Sequence, residues 1–162
     1  MTRIGVGYDL HPLVADRRLV LGGVHVPFDQ GLAGHSDADA LVHAVIDALL
    51  GAAALGNIGR LFPDTDPRYA GADSLALLRA TAGRVSEAGY AVVNIDANIV
   101  AERPRLEPYL DTMRHNVAQC LSILESAVSI KAKTNEGLGP EGRGEAVSAH
   151  AVVLLEMRGA RA

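Results

Sequence analysis

A chain of 162 residues, 49% hydrophobic and 21% charged, can bury one core and falls in the ordinary range for a globular domain. Its net charge of −4 excludes nucleic acid or an anionic membrane surface held by bulk electrostatics, so a phosphate ligand would need local features to hold it. The only cysteine, Cys120, excludes an intrachain disulfide and a thiolate zinc cluster and suits a reducing cytoplasm; no signal segment is expected, and no apolar run approaches a membrane span.

The first predicted element is a strand over about residues 3–9, "RIGVGYD", running into "LHPL". Residues i and i+2 of a strand share a face, so Ile4, Val6 and Tyr8 lie on one side and Gly5, Gly7, Asp9 and His11 on the other. That second side carries no bulk until it presents a carboxylate and an imidazole together. They are either a pair of metal ligands or a strand-end pair in solvent. Pro12, with no N–H to give, is expected to stop the ladder. "RRLVLGGVHVPF" reads as a hairpin turning at Gly22-Gly23.

"GHSDADALVHAVIDALLGAAALG" predicts a helix over about 37–55, with Leu41, Val42, Val45, Ile46, Leu49 and Leu50 as its buried stripe. Ser36, with Asp39 three residues on, resembles a capping-box start. His43 lies at the stripe's edge, with Asp39 one turn before and Asp47 one turn after. This suits a ligand steadied by an outer carboxylate, or equally a surface histidine in weak helical pairs. Counted with Asp9 and His11, it completes three N/O ligands that leave one position open, the donor set of a catalytic zinc. His35 and Ser36 fall at the expected helix start, where free N–H groups favour an anion, although His35 could equally point into water.

The following loop, "GNIGRLFPDTDPRYAG", places Asn57, Gly59, Phe62, Asp64 and Asp66 in what is also plain turn chemistry. A second helix is predicted over about 73–88, with Leu75, Leu78, Ala82 and Val85 inward. "YAVVNIDANIVAE" is a strand, and "AERPRLE" then breaks at Pro104, either to cover a flat ligand with backbone or only to connect. A third helix over about 107–122 carries Cys120 among Met113, Val117 and Leu121 as a small core residue. "AVSIKAKT" is a strand, "NEGLGPEGRGE" a glycine-rich loop and "AVSAHAVVLLEM" the last strand. Around that loop Thr134 could donate to phosphate, Glu136 bind a second metal and Arg143 pair with an anion, or the segment could be an ordinary connection. Strands alternating with helices, and a crossover between the strands near 95 and 130, indicate a single α/β domain over 1–162.

"GYDLHPL", "GHSDADALVHAVIDALLGAAALGNIGRLFPDTDP", "IVAERPRL" and "KTNEGLGPEGRGE" together resemble the signature segments of the 2-C-methyl-D-erythritol 2,4-cyclodiphosphate synthase family, in order and over essentially the whole chain. The fold this implies is a mixed four-stranded sheet with helices on one face plus a small N-terminal hairpin. It would be bacterial chorismate mutase-like and trimeric, with three sites between neighbouring subunits. The activity implied is that of a phosphorus–oxygen lyase of the non-mevalonate isoprenoid pathway in the cytoplasm. It converts 4-diphosphocytidyl-2-C-methyl-D-erythritol 2-phosphate to the cyclic diphosphate and CMP.

Carried over by the resemblance, Asp9, His11 and His43 hold Zn2+, Glu136 holds Mg2+ or Mn2+, and Asp9 and His11 also touch substrate. His35 and Ser36 meet the 2-phosphate and diol end, with His35 and Thr134 assigned to catalysis. Asn57, Ile58 and Gly59 belong with the methylerythritol pocket, which Phe62, Pro63, Asp64, Thr65 and Asp66 line. Ala101, Glu102, Arg103, Pro104, Arg105 and Leu106 form the cytidine pocket. Ala132, Lys133 and Thr134 complete it, and Asn135 and Glu136 also meet the substrate. Arg143 matches an arginine implicated in holding an isoprenoid diphosphate in the cavity along the threefold axis. The nucleophile is then the substrate's own phosphate, which is why no serine, cysteine or general base is demanded of the protein. Two departures stand out: Asn57 where the family usually has aspartate, and Lys133 and Asn135 where some members have threonines. A zinc phosphohydrolase and a trimeric module that binds isoprenoid diphosphates are the rival readings.

Overall fold

The computed structural model describes residues 1–158; positions 159–162, the tail of the expected single domain, lie outside the described residues. Two long strands form its centre. β1 (Thr2–Ala15) and β7 (Ala146–Met157) pair antiparallel from Thr2↔Glu156 to Pro12↔Ala146. β5 (Tyr90–Val100) pairs antiparallel with the other edge of β7, and β6 (Val128–Lys133) runs parallel to β5. A short strand, β4 (Gln30–Leu32), closes the far edge against β1, giving the order β4-β1-β7-β5-β6. The sheet is mixed as expected but has five strands, not four. A three-residue strand centred on Gly31 is too short to display a period of two. β2 (Leu19–Leu21) and β3 (Val24–Val26) make the expected hairpin as a separate two-stranded ribbon.

Pro12 does not end β1. Its carbonyl accepts from Ala33 N at 3.0 Å, on the β4 side. The N–H and C=O of one strand residue point the same way, so the donor that proline lacks is absent from the β4 side and the ladder with β7 loses nothing.

α1 (Ala40–Ala53) lies flat on β1, and the glycine spacing explains how. A Cβ on Gly5 would stand 2.0 Å from Ala48 O, and one on Gly7 1.9 Å from Ala44 O. Glycine is therefore the only residue that admits the helix at this distance. Every residue of α1 except Asp47 and Gly51 is buried, a wider burial than the single stripe expected. α3 (Ser74–Glu87) buries Leu77, Leu78, Thr81 and Val85, leaving Leu75 and Ala82 at the margin. α4 (Leu110–Leu121), entered through a 3-10 turn at Glu107–Tyr109, makes the crossover from β5 to β6 and buries Met113, Val117 and Cys120. Two single-turn helices, α2 (Ile58–Leu61) and α5 (Gly139–Gly142), sit in the loops. No helix of the described residues is long and apolar enough to cross a membrane.

The long helices cover one face of the sheet. The other face carries Ile4 and Val6 at 71% and 72% exposure, with Tyr8 and Val152 beside them. The two sides of β1 divide as its alternation requires.

Candidate functional site

α1 begins later than its sequence suggests, and this moves the chemistry. Its N-cap is Asp39, not Ser36: the buried carboxylate accepts from Val42 N at 3.0 Å and, across the fold, from Gly22 N at 2.9 Å and Gly23 N at 2.7 Å. Burial pushes this carboxyl up to about 6, against the pull of the three N–H groups. The helix start is thus occupied by the protein's own acid, and His35 and Ser36 lie in the loop before it. Asp47, the other presumed neighbour of His43, accepts from Ile58 N at 2.7 Å. Both acids of α1 hold backbone, so neither is the outer partner of His43.

The partners of His43 come from elsewhere. β1 places Asp9 and His11 on its glycine side, facing α1, and the first turn of α1 delivers His43 to them. Asp9 Oδ2 lies 2.8 Å from His11 Nε2 and 3.0 Å from His43 Nδ1, and the two ring nitrogens are 3.3 Å apart. Among the described residues this is the cluster of histidine, cysteine and acidic groups able to hold a metal ion. The outer nitrogens are also held. His11 Nδ1 donates to Ala33 O at 2.7 Å, since a carbonyl can only accept, and His43 Nε2 sits 3.0 Å from Ser74 Oγ and 3.1 Å from Ser36 Oγ. Three electron-pair donors turned toward one point, with the rings anchored behind, fit a divalent cation of the zinc class. Burial pushes the Asp9 carboxyl up, but hydrogen bonds and charge from His11 and His43 outweigh it and bring it down to about 2. Burial pulls His11 down, and its contact with Asp9 more than reverses this and raises it.

The triad opens on a cavity of about 360 Å3 lined also by His35, Ser36, Ile58, Gly59, Phe62 and Asp64. Asn57 is exposed and is not one of the lining residues: its Oδ1 accepts from Arg60 N at 3.0 Å and caps α2. Pro63 and Thr65 flank the lining residues, and Asp66 caps the next turn and pairs with Arg68 at 2.6 Å. Tyr69, Leu77 and Ser74 join the site without having been expected there. Tyr69 meets Phe62 edge-on at 5.3 Å, and Leu77 lines the same space. An aromatic after Asp-Pro-Arg was a visible signal for the first; Ser74 carried none.

A second cavity of about 380 Å3 joins Ala101, Glu102, Arg103, Pro104, Arg105 and Leu106 to Ala132, Lys133 and Thr134, at the ends of the parallel pair β5 and β6. Thr134 Oγ1 donates to Glu136 Oε1 at 2.9 Å, linking the two polar residues of the glycine-rich segment. Asn135 turns toward Glu141. Arg143 lies apart, beside Glu102 and Arg103 in a smaller cleft, and is paired with Glu145 at 2.9 Å. The metal cavity and the second cavity share no lining residue. A further concavity, about 580 Å3 at the C-terminal ends of α1 and α3, has Arg60, Arg84 and Glu87 on an aliphatic wall and none of the triad.

Known proteins match this chain over nearly its whole length. The YgbB family matches residues 2–156. A protein of Moorella thermoacetica named 2-C-methyl-D-erythritol 2,4-cyclodiphosphate synthase is 60% identical over 153 residues, 94% of each chain. Two solved structures share the fold. The bifunctional IspDF of Campylobacter jejuni superposes with a TM-score of 0.93 at 39% identity, over 97% of this chain and 42% of that longer one. IspF of Plasmodium falciparum in its CDP complex gives 0.86 at 32% identity, over 98% and 97%.

Proposed function

Because the chain belongs to the YgbB family and has the 2-C-methyl-D-erythritol 2,4-cyclodiphosphate synthase function of the non-mevalonate isoprenoid pathway, we propose that Asp9, His11 and His43 hold Zn2+ at the diphosphate of 4-diphosphocytidyl-2-C-methyl-D-erythritol 2-phosphate. The observation that carries this is the triad itself: three donor atoms 2.8 to 3.3 Å apart in a cavity wall, with both rings anchored from behind. A cation bound there supplies Lewis-acid charge to the phosphate oxygens. His35 and Ser36 meet the phosphate at the diol end, and Phe62, Tyr69 and Leu77 give the carbon skeleton an apolar wall. The second cavity takes the cytidine, whose flat base suits the backbone of Ala101 to Leu106. The relative solved with CDP supports that class of ligand. Thr134 and Glu136 stand on the diphosphate side, Glu136 toward Mg2+ or Mn2+. The 2-phosphate is its own nucleophile, so the residues work by positioning: they fold one substrate until its ends meet in line.

A homotrimer of chorismate mutase-like protomers, each a single domain, is the assembly we assign. Its support is the sheet face left uncovered by helices, where Ile4 and Val6 stand in solvent, and the separation of the two cavities within one protomer. An isoprenoid diphosphate on the threefold axis, near Arg143, is compatible with turnover. The lone buried thiol of Cys120 suits a cytoplasmic location.

The test is phosphorus NMR of zinc-loaded protein with Mg2+ and the cytidyl substrate. A cyclic diphosphate appearing with CMP is the expected result. Open monophosphates would make the protein a zinc phosphohydrolase, and no turnover would reduce it to a binding module.

A further inference from the structure

Asp9 explains why the inner nitrogens of the two histidines gather, but not what fixes the His43 proton. The acids on its own helix are engaged with backbone at Gly22, Gly23, Val42 and Ile58. Behind the ring lies Ser74, the first residue of α3 and wholly buried. Its Oγ is 3.0 Å from His43 Nε2 and donates to Asp37 Oδ1, while Asp37 Oδ2 accepts from Ser74 N at 3.0 Å. The loops that carry these groups are strapped together, Gly71 N to His35 O at 2.8 Å and Asp37 N to Ala72 O at 3.2 Å.

The direction of each bond follows from donor and acceptor chemistry. A carboxylate only accepts, and a serine hydroxyl has one proton. With that proton committed to Asp37, the Ser74 oxygen can only accept, and the donor facing it is His43 Nε2–H. Ser36 Oγ, 3.1 Å from the same nitrogen, accepts from Ala38 N and has a second lone pair with which to accept from Nε2–H.

We propose that Asp37, acting through Ser74, is a positioning residue for the metal centre: it holds the His43 proton on Nε2 and so presents Nδ1 to the cation. This rests on the reading that the triad binds zinc. The residue is not catalytic, for it touches neither substrate nor metal. Its effect is on the tautomer and tilt of one ligand, the role that carboxylates behind metal-bound histidines commonly fill, here with a hydroxyl between. His11 needs no such device, because the Ala33 carbonyl fixes its tautomer directly.

The primary measurement is long-range proton–nitrogen correlation NMR of zinc-loaded protein labelled at histidine. His43 should be protonated at Nε2 and metal-bound at Nδ1. Zinc on Nε2 would overturn the inference while leaving the metal reading intact, and a protein that binds no zinc would overturn both. The second measurement is zinc affinity by chelator competition. Ser74→Ala should weaken binding by about 10–100-fold, and Ser74→Thr, which keeps the hydroxyl, should restore it. Asp37→Asn should weaken binding alone but add nothing in the Ser74→Ala background, since the two act in series. Unchanged affinity in Ser74→Ala, or additive losses in the double variant, would sink the relay. If Ser74→Ala does not fold, the spectrum of the parent protein still decides.

Discussion

At the residue scale, the paired shifts of Asp9 and His11 set how the centre responds to pH. Asp9 is held at about 2, below its unfolded value, so its pairing stabilises the fold above about pH 4 and is lost as the pH falls toward 2. His11 is raised, so its share is present below about pH 6.5 and lost as the pH climbs through the folded value. A cation needs His11 unprotonated, and the same upward shift makes protons compete better for that nitrogen. Zinc affinity should therefore fall steadily as the pH drops from 8 to 5.5, read by chelator competition; a flat profile would remove His11 from the ligand set. His43→Ala should lose bound zinc and turnover while the far-ultraviolet circular dichroism stays native. Asp39 answers a different question. Its raised value means that ionising it takes stability away as the pH rises from about 4 to 6, yet it satisfies three backbone N–H groups. Asp39→Ala strands those donors and should cost about 3 kcal/mol in urea unfolding at pH 7. Asn57→Asp keeps an acceptor for Arg60 N and so the cap of α2; a rise of about tenfold in kcat/KM would then report a substrate contact and not a change of fold. The triad was legible because strand alternation and one helix turn are short-range rules. Ser74 was not, because its role comes from two loops meeting, 37 residues apart in sequence from Asp37.

At the element scale, the glycine pattern of β1 is the part of the sequence that most directly dictates packing. Gly5 and Gly7 leave room for the backbone of α1, and the same face two residues on presents Asp9 to the helix that carries His43. The helix position and the ligand geometry are one constraint. Gly7→Ala puts a methyl where Ala44 O now stands 1.9 Å away, and a helix backbone cannot yield like a flexible side chain. The expected loss is about 1–3 kcal/mol or more, with weaker zinc binding in whatever fraction folds, because α1 must lift from the ligands of β1. A variant as stable as the parent, with unchanged zinc affinity, would show that α1 can slide without cost. The element order, the hairpin, the parallel crossover and the final strand were readable from period and turn chemistry. Three features were not. β4 was too short to show a period, the passage of β1 through Pro12 depended on which neighbour lies on which side, and the start of α1 was set by Gly22 and Gly23 reaching a distant carboxylate.

At the scale of the whole molecule, one chain has two separate cavities and a sheet face uncovered by helices. The cavities are separate, one holding the triad with His35, Ser36 and Phe62, the other the backbone of Ala101 to Leu106 with Thr134. A substrate whose cytidine and methylerythritol ends must both be held is best served if the second half comes from a neighbour. The apolar face that would join neighbours is led by Ile4 and Val6. These residues touch neither cavity, so their replacement separates assembly from site chemistry. Val6→Asp places a charge on that face without disturbing the glycine side of β1. It should yield a smaller species by sedimentation, still able to bind zinc at the triad but turning over substrate far more slowly. Complementation supplies the sharper test. On the proposed assembly, His43→Ala subunits lack the metal half and Thr134→Ala subunits lack the cytidine half, so each variant alone should be inactive. If the halves meet across an interface, mixed trimers contain some sites built from one intact half of each parent, and unfolding and reassembling an equal mixture should restore part of the activity. If both halves serve one substrate within a single chain, no mixed site is whole and the mixture stays dead. Recovery would therefore assign the two halves to different chains, and a Val6→Asp protein with full activity as a monomer would overturn the shared site outright.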